Sequence, residues 1–511
     1  MIPGMFSRVS ALLLVSLLLF ATEPSAETRR WWGHVQALAN DGMEGRDTGS
    51  PGYTRAAQYV TKQFASLHLE PAGDKGYNQT VPLRKLRFHD DRSSAELATR
   101  TGVKKLRWLE QIAVPANAAL PASIEAPLVF VGSPAYASQV DVKGKIVVQL
   151  NPRRVVKDAK DPVLRKLPEG AIGILGIDRV DSLEAPRWPV AYSEAVTIRD
   201  EAPAQATAPA SLLLRFNPEH AEALFEGSGH TYKELRAGEA EEKALASFDL
   251  PATLRLKLVF ESTEVASDNL LAMLPGEDPQ LRNEVIVLSA HLDGYGVGSA
   301  WKTDSVYNGC FDDAAYVATL IETAEKLRTA RVKLRRSVLF AVFTGEEKGL
   351  LGSRYFTRHL TLPRERLVAN INLDQLRPLF PLKVLAMVGM QDSTLGETAR
   401  RVAGPLGLRI EADNEPWRNL IRRADNWNFM QIGVPAAGFV LAPESGTQDA
   451  EIYREWYRLR YHTPLDDLKQ PWDPGAAAKF HEFFLTLVET LSNSSERPQW
   501  SPQSPYAPKA R

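Results

Sequence analysis

Apolar residues recur along this chain at two periods, and the places where one gives way to the other divide it into blocks. Within residues 53–69, Ala57, Val60, Phe64 and Leu67 stand three or four apart, the spacing that lines up one face of a helix. A shorter helix is predicted over 31–39, and the Gly-rich stretch 41–52 separates the two as a turn. Pro71-Ala72-Gly73-Asp74 ends the second helix with turn-forming residues, and 77–83 reads as a strand at a sheet edge. From about Leu106 short β-like runs take over, at 127–131, 145–150, 171–176 and 210–216, with one short helix near 219–225. Their seams are rich in Pro and Ala and they hold no cluster of residues suited to chemistry, which predicts an inserted β-rich domain.

From Ser267 strand and helix alternate. Strands are predicted at 269–273, 284–288, 337–343, 367–373, 383–388 and 436–441, and helices at 314–328 and 476–492. The last helix gathers Phe480, Phe483, Phe484 and Leu487 on one face. This predicts the α/β class, with helices on both faces of a sheet. The expected division is 27–105 and 256–495 as two parts of one domain, 106–255 inserted between them, and a Pro- and Ser-rich tail, 496–511, without fixed structure.

Composition narrows the class only a little. With 511 residues and 44% hydrophobic content the chain can bury a sizeable core. A formal net charge of −1 gives no broad electrostatic reason to expect a nucleic-acid partner. The basic run Lys333-Leu334-Arg335-Arg336 reads as a solvated start to a strand. At the N-terminus, Arg8, the apolar run 9–20 and Pro24-Ser25-Ala26 form an export-signal pattern, 1–26, which predicts a periplasmic or extracellular location. No later stretch is long and apolar enough to span a bilayer, so no stable membrane anchor is expected after cleavage. Nothing in the pattern specifies an oligomeric state. Cys310 is the only cysteine, so no intramolecular disulfide can form, and it reads as a small buried hydrophobe. His220 and His230 lack partners at ligand spacing and read as surface residues.

The chemistry concentrates after the predicted strands of the α/β region. His291 and Asp293 stand two apart in Ser289-Ala290-His291-Leu292-Asp293, at the end of a Val- and Ile-rich strand. Alone, that pair equally fits a histidine hydrogen-bonded to an acid for packing. Asp312-Asp313 begins a helix, where acids also serve as caps. Glu346 and Glu347 lie between glycines directly after a buried strand. Neighbouring side chains point in different directions, so one of these can bind metal while the other reaches a water. Asp374 closes another strand, and His462 precedes the rigid Thr463-Pro464. Together they supply two histidines and three carboxylates with one glutamate to spare. That is the inventory for two divalent ions about 3.5–4 Å apart that share a carboxylate. Nitrogen and oxygen donors without thiolate suit zinc, with cobalt or manganese as substitutes. The turn 41–52 also carries Glu44 and Arg46, which either line a cleft or belong to an ordinary loop.

As an ordered set these motifs resemble the co-catalytic di-zinc aminopeptidases, whose relatives include glutamate carboxypeptidases, glutaminyl cyclases and the transferrin receptor ectodomain. The resemblance runs from Trp31 to Leu468 and takes in Met43-Glu44-Gly45-Arg46. The insert resembles a protease-associated domain through Asp141-Val142-Lys143-Gly144-Lys145 and Gly170-Ala171-Ile172-Gly173. The resemblance implies an α/β/α sandwich around a mixed, mainly parallel sheet. It implies that His291 and Asp374 hold one zinc, Glu347 and His462 the other, and that Asp312 bridges them. Glu346 would be the general base, Asp293 would orient His291, and the Asp312–Asp313 peptide would be cis. The implied reaction is removal of the N-terminal residue from peptides with a free N-terminus.

Three departures from the family pattern bear on substrate preference: Tyr316 after Ala314-Ala315 where a small residue is usual, Asn426 in place of a histidine, and Gly294-Tyr295-Gly296 without a histidine after Asp293. The alternatives are a glutaminyl cyclase or carboxypeptidase of the same fold, or a non-catalytic receptor-like binding protein. The cyclases lack the first histidine, and a receptor would be expected to have lost ligands. Here His291 and the rest of the set are present.

Overall fold

A computed structural model describes residues 23–151, 167–179, 187–201, 211–329 and 333–508. All but the last four residues of the export-signal pattern lie outside the described residues.

The core of the fold is a ten-stranded sheet. Its centre consists of Val285–His291 flanked in parallel by Ser337–Phe343 and Leu367–Leu373, and every residue of these three strands is buried. Unbroken Val-, Ile- and Leu-rich runs are the pattern of strands covered on both faces, and the alternation of side chains assigns each residue a layer. Ile286, Leu288 and Ala290 pack with helices Ala315–Thr329 and Pro474–Asn493, while Val285 and Val287 pack on the other face with Phe356 and Phe429. Beyond the parallel centre, Phe260–Leu274 and Val384–Val388 add antiparallel pairings, so the sheet is mixed and mainly parallel around the site.

The first two helices span Ala26–Leu38 and Pro51–Ser66. The second starts earlier than its apolar stripe because the Ser50 side chain accepts the Tyr53 amide and Pro51 fits a first turn. The strand expected at a sheet edge over 77–83 runs instead over Asn78–Phe88 and is not an edge. Phe260–Leu274 pairs one side and Glu194–Ile198, from the distant intervening segment, covers the other.

Among the described residues, eight further strands form a second sheet over Ser94–Lys257, with its own apolar cluster that includes Leu97, Phe130, Val148 and Phe225. Its first strands, Ser94–Thr99 and Gly102–Leu106, precede the boundary expected near 106. Gly102–Leu106 exposes four of its five residues, so it has no apolar run to announce it.

Two further expectations are corrected. Arg336, read as part of a solvated run, is fully buried, bound to Glu284 at 2.6 Å and to the Leu491 carbonyl at 3.2 Å. The tail read as lacking fixed structure is laid on the body by its aromatics. Trp500 Nε1 donates to the Gly433 carbonyl at 3.0 Å, and Tyr506 meets Trp427 edge-on at 5.6 Å. Polar, Pro-rich composition concealed these two anchors.

His481, on the closing helix, lies edge-on to Trp31 at 5.1 Å with Nε2 3.1 Å from Thr319 Oγ1. Burial, aided by nearby Lys326, pushes its pKa down to about 3. The folded chain keeps this ring neutral while the unfolded chain protonates it near pH 6.5, so its stabilising effect is complete above about pH 6.5 and is lost as pH falls. Between pH 7 and 5 this residue alone should cost about 2 kcal/mol. In urea unfolding, His481→Gln should show a smaller loss of midpoint over that interval than the wild type. An equal loss would contradict the neutral buried ring.

Candidate metal centre

The carboxyl ends of the central parallel strands converge on one crevice, the usual place for a site in such a sheet. His291 is the last residue of its strand, Asp374 directly follows Leu367–Leu373, and Glu346 and Glu347 lie in the turn after Ser337–Phe343. Asp312 enters from the segment before helix Ala315–Thr329, across a cis Asp312–Asp313 peptide. His462 enters from just beyond helix Gln448–Leu459.

These residues form two groups that share Asp312. One is His291, Asp312 and Asp374; the other is Asp312, Glu347 and His462; in each, the candidate ligand atoms lie within 4.8 Å of one another. Asp312 turns one oxygen to each histidine, Oδ1 at 3.4 Å from His291 Nε2 and Oδ2 at 3.3 Å from His462 Nε2. Glu347 Oε1 is 3.5 Å from His462 Nε2, and Asp374 Oδ1 is 3.9 Å from His291 Nε2. Two donors each about 2.0 Å from a tetrahedral ion stand about 3.3 Å apart, so the spacing suits ligands better than hydrogen-bond partners. His291 Nε2, Glu347 Oε1 and Asp374 Oδ1 are buried without a hydrogen bond. Such orphaned polar atoms are costly; a cation in the first group would satisfy His291 and Asp374, and one in the second would satisfy Glu347. The donor set therefore fits zinc. Glu346 is in neither group.

Electrostatics agree with a cation site. Burial, with Asp312 adding repulsion, pushes Glu347 up to about 7, and burial pushes Asp374 up to about 6. Burial also raises Glu346 well above the carboxylate range, with Asp374 and Glu347 adding to it against His291. Burial would raise Asp312 too, but the flanking histidines outweigh it and hold that carboxyl below its ordinary value. A third acid-and-histidine group, His34, Glu322 and Glu325, already holds Arg30, at 2.6 Å from Glu322 and 3.2 Å from Glu325.

The supporting contacts are tertiary. His291 Nδ1 lies 3.1 Å from the backbone carbonyl of Asp293, which leaves Nε2 free for a metal. The Asp293 carboxylate, 3.8 Å from that ring, instead accepts the amides of Glu346 at 3.0 Å and Glu347 at 3.2 Å. Asp293 thus holds the histidine with its backbone and the glutamate turn with its side chain. Asp466 accepts the amides of Phe311 and Asp312 at 3.0 and 3.1 Å, and Asp313 accepts those of His291 and Gln375 at 3.3 and 3.2 Å. The sequence assigns neither acid this hydrogen-bonding role. Asp466 stands four residues after His462, but the two amides it accepts in the site are more than 150 residues away.

The Gly-rich turn does not line the cleft. Arg46 is fully buried and donates to the carbonyls of Leu38, Leu292, Asn308 and Gly309 at 2.6–2.8 Å, clamping the segments that carry Asp293 and Asp312. Gly45 beside it has φ +61°, and a Cβ there would lie 2.5 Å from the carbonyls of Gly296 and Tyr307. Glu44 pairs with Arg55 at the surface.

A cavity of about 460 Å³ opens over the two groups, lined among others by Gln375, Arg422, Asn426, Tyr457 and Tyr461. Asn426 faces it, with its amide donating to the Ile421 carbonyl at 3.1 Å. Tyr316, expected to bear on substrate preference, is buried against Phe480 at 5.4 Å with its hydroxyl 3.2 Å from the Phe439 carbonyl, and it does not line that cavity. The tyrosine that follows Gly294 does take part: Tyr295 Oη is 3.0 Å from His462 Nδ1.

Residues 269–488 match the family model described as Peptidase family M28. Among curated proteins, leupeptin-inactivating enzyme 1 of Streptomyces exfoliatus is 25% identical over 217 residues, 41% of this chain and 45% of its own length. Aminopeptidase YwaD of Bacillus subtilis is 24% identical over 223 residues, 43% of each. The chain thus spans less than half the length of these relatives. Among solved structures, the aminopeptidase from Aneurinibacillus sp. strain AM-1 covers 92% of this chain and 95% of its own, with a TM-score of 0.59 at 19% identity. BSAP, a zinc aminopeptidase from Bacillus subtilis, covers 92% and 96%, with a TM-score of 0.56 at 16% identity. At such identities the likeness is one of fold. The stretch that matches the Peptidase family M28 model, residues 269–488, carries His291, Asp293, Asp312, Glu346, Glu347, Asp374 and His462.

Proposed function

We propose that the chain is a zinc-dependent exopeptidase, an aminopeptidase that hydrolyses the N-terminal bond of peptides with a free N-terminus. On the export-type N-terminal pattern, it acts in the periplasm or outside the cell. The observation that carries this reading is the pair of three-residue groups joined at Asp312, with a buried unpartnered ligand atom on each of His291, Glu347 and Asp374. Aminopeptidases among the similar proteins support it.

Zinc held by His291, Asp312 and Asp374 and by Asp312, Glu347 and His462 would supply Lewis acidity toward the scissile carbonyl and a water of lowered pKa. Glu346, the carboxylate left outside both groups, takes a proton from the attacking water and delivers it to the leaving amine. Asp293 keeps Glu346 in place through its backbone amide. Tyr295 and the Asp293 carbonyl fix the ring orientations of His462 and His291. Purified protein is expected to hold close to two zinc ions per chain and to release the amino acid from aminoacyl-nitroanilides. A chain without zinc that is inert toward all peptides would leave the receptor-like reading.

A further inference from the structure

Immediately after the two glutamates stands a residue that the mechanism above does not use. Lys348 has a side chain only 6% exposed, on a turn that is otherwise the rim of the cleft. Its ammonium lies 3.0 Å from Asp47 Oδ1 and 3.1 Å from Glu194 Oε1, and it is hydrogen-bonded to the Tyr192 hydroxyl. It also sits over the ring of Tyr192 at 4.5 Å and that of Tyr295 at 5.4 Å. Lys85 completes the cluster, 2.5 Å from Asp47 Oδ2 and 3.7 Å from Glu194 Oε1, so two cations face two anions.

The origins of these partners matter. Glu194 begins the strand Glu194–Ile198 and Tyr192 precedes it, both from the long segment between the two parts of the main sheet. Asp47 forms a bridge to Gly294, in the segment that carries Asp293 and Tyr295. A surface ion pair would tie these pieces together weakly, but a largely desolvated ammonium between two carboxylates only 17% and 5% exposed resists losing a partner. On the metal side, Lys348 is bonded in sequence to Glu347, and the ring it covers, Tyr295, contacts His462 Nδ1. Lys348 thus reaches two of the three residues of the Asp312–Glu347–His462 group. No contact links it to His291 or Asp374.

We infer that Lys348 is a positioning residue through which the Tyr192–Glu194 segment sets Glu347 and His462, and hence one of the two metal positions and not the other. The inference rests on the two-zinc reading above. It assigns the intervening segment a role in the site, although that segment supplies none of the candidate ligands. A cavity of about 390 Å³, lined by Tyr192, Glu194, Tyr295, Glu347 and Lys348 among others, runs along this contact.

The test is zinc binding to the full chain by competition with a chromophoric chelator, with melting temperature recorded alongside. Wild type should bind two ions. In Lys348→Met one ion should bind about 10- to 100-fold more weakly while the other is unchanged, the usual cost of losing an outer contact to a ligand. Glu194→Gln, which keeps its size and lies far along the chain, should weaken the same ion, and the double variant should be no worse than Lys348→Met. A purely structural lysine would lower the melting temperature and move both ions equally or neither, and either result overturns the inference. Glu194→Gln decides the matter if Lys348→Met fails to fold. A wild-type chain that binds no zinc overturns the two-zinc reading and this one with it, whereas two ions unaffected by either variant overturn this one alone.

Discussion

Glu346→Gln is expected to lower kcat by about 10²- to 10⁴-fold while the chain keeps both zinc ions, because this change removes a proton acceptor and no metal ligand. Its place outside the ligand groups and two backbone hydrogen bonds isolate the effect. Glu346 belongs to neither ligand group, its amide is held by the Asp293 carboxylate at 3.0 Å, and its carbonyl accepts the Gly349 amide at 2.9 Å. An amide of the same size leaves that turn intact. Steady-state kinetics on an aminoacyl-nitroanilide together with metal analysis would check it. Wild-type turnover in the variant would move the base elsewhere, and loss of one ion would make Glu346 a ligand.

The second large effect belongs to Asp312. It alone is shared by both groups, with one oxygen toward each histidine. Asp312→Ala should therefore abolish binding of both ions, whereas Asp374→Ala should cost mainly the ion on His291. Stability follows by mass action, since a ligand that binds only the folded state at a free concentration 100 times its Kd stabilises by about 2.7 kcal/mol per site. A chelator should then lower the melting temperature of the wild type and leave that of Asp312→Ala unmoved. A variant that still responds to the chelator would show that the two positions do not depend on one bridging carboxylate.

Buried acids of this kind crowd negative charge that bound cations would offset. Burial raises Glu347 to about 7 and Asp374 to about 6, each crowded by other carboxyls within the same crevice. Removing charge at Asp312 relieves that crowding but also strips the partner that faces both histidines.

The reading of the strands was secure where burial was complete. The Val-, Ile- and Leu-rich runs within Val285–His291 and Ser337–Phe343 are short enough for strands and fit burial on both faces, and every residue of both is buried. Asn78–Phe88 was harder. Its outer neighbour, Glu194–Ile198, lies more than 100 residues away and carries no mark of its destination. Gly102–Leu106 and the aromatic anchors Trp500 and Tyr506 escaped notice for the opposite reason, being held by partners rather than by any local pattern.

By itself, then, the sequence determined the α/β class and the strands that end at the crevice, and it singled out His291, Asp312, Glu346, Glu347, Asp374 and His462 as candidates, which the fold brings to that crevice. Their chemistry is local, and the ends of buried strands are rigid places from which to aim it. Only the tertiary structure decided how these residues are held. Arg46, a loop or cleft residue by sequence, is a buried clamp on four carbonyls, and Asp293 serves His291 through its backbone and the glutamate turn through its side chain. Lys348, which no local pattern marks, has its side chain largely buried between Asp47 and Glu194. Hydrogen bonds and ion pairs of this reach depend on where distant segments meet, and residue type and spacing do not carry that information.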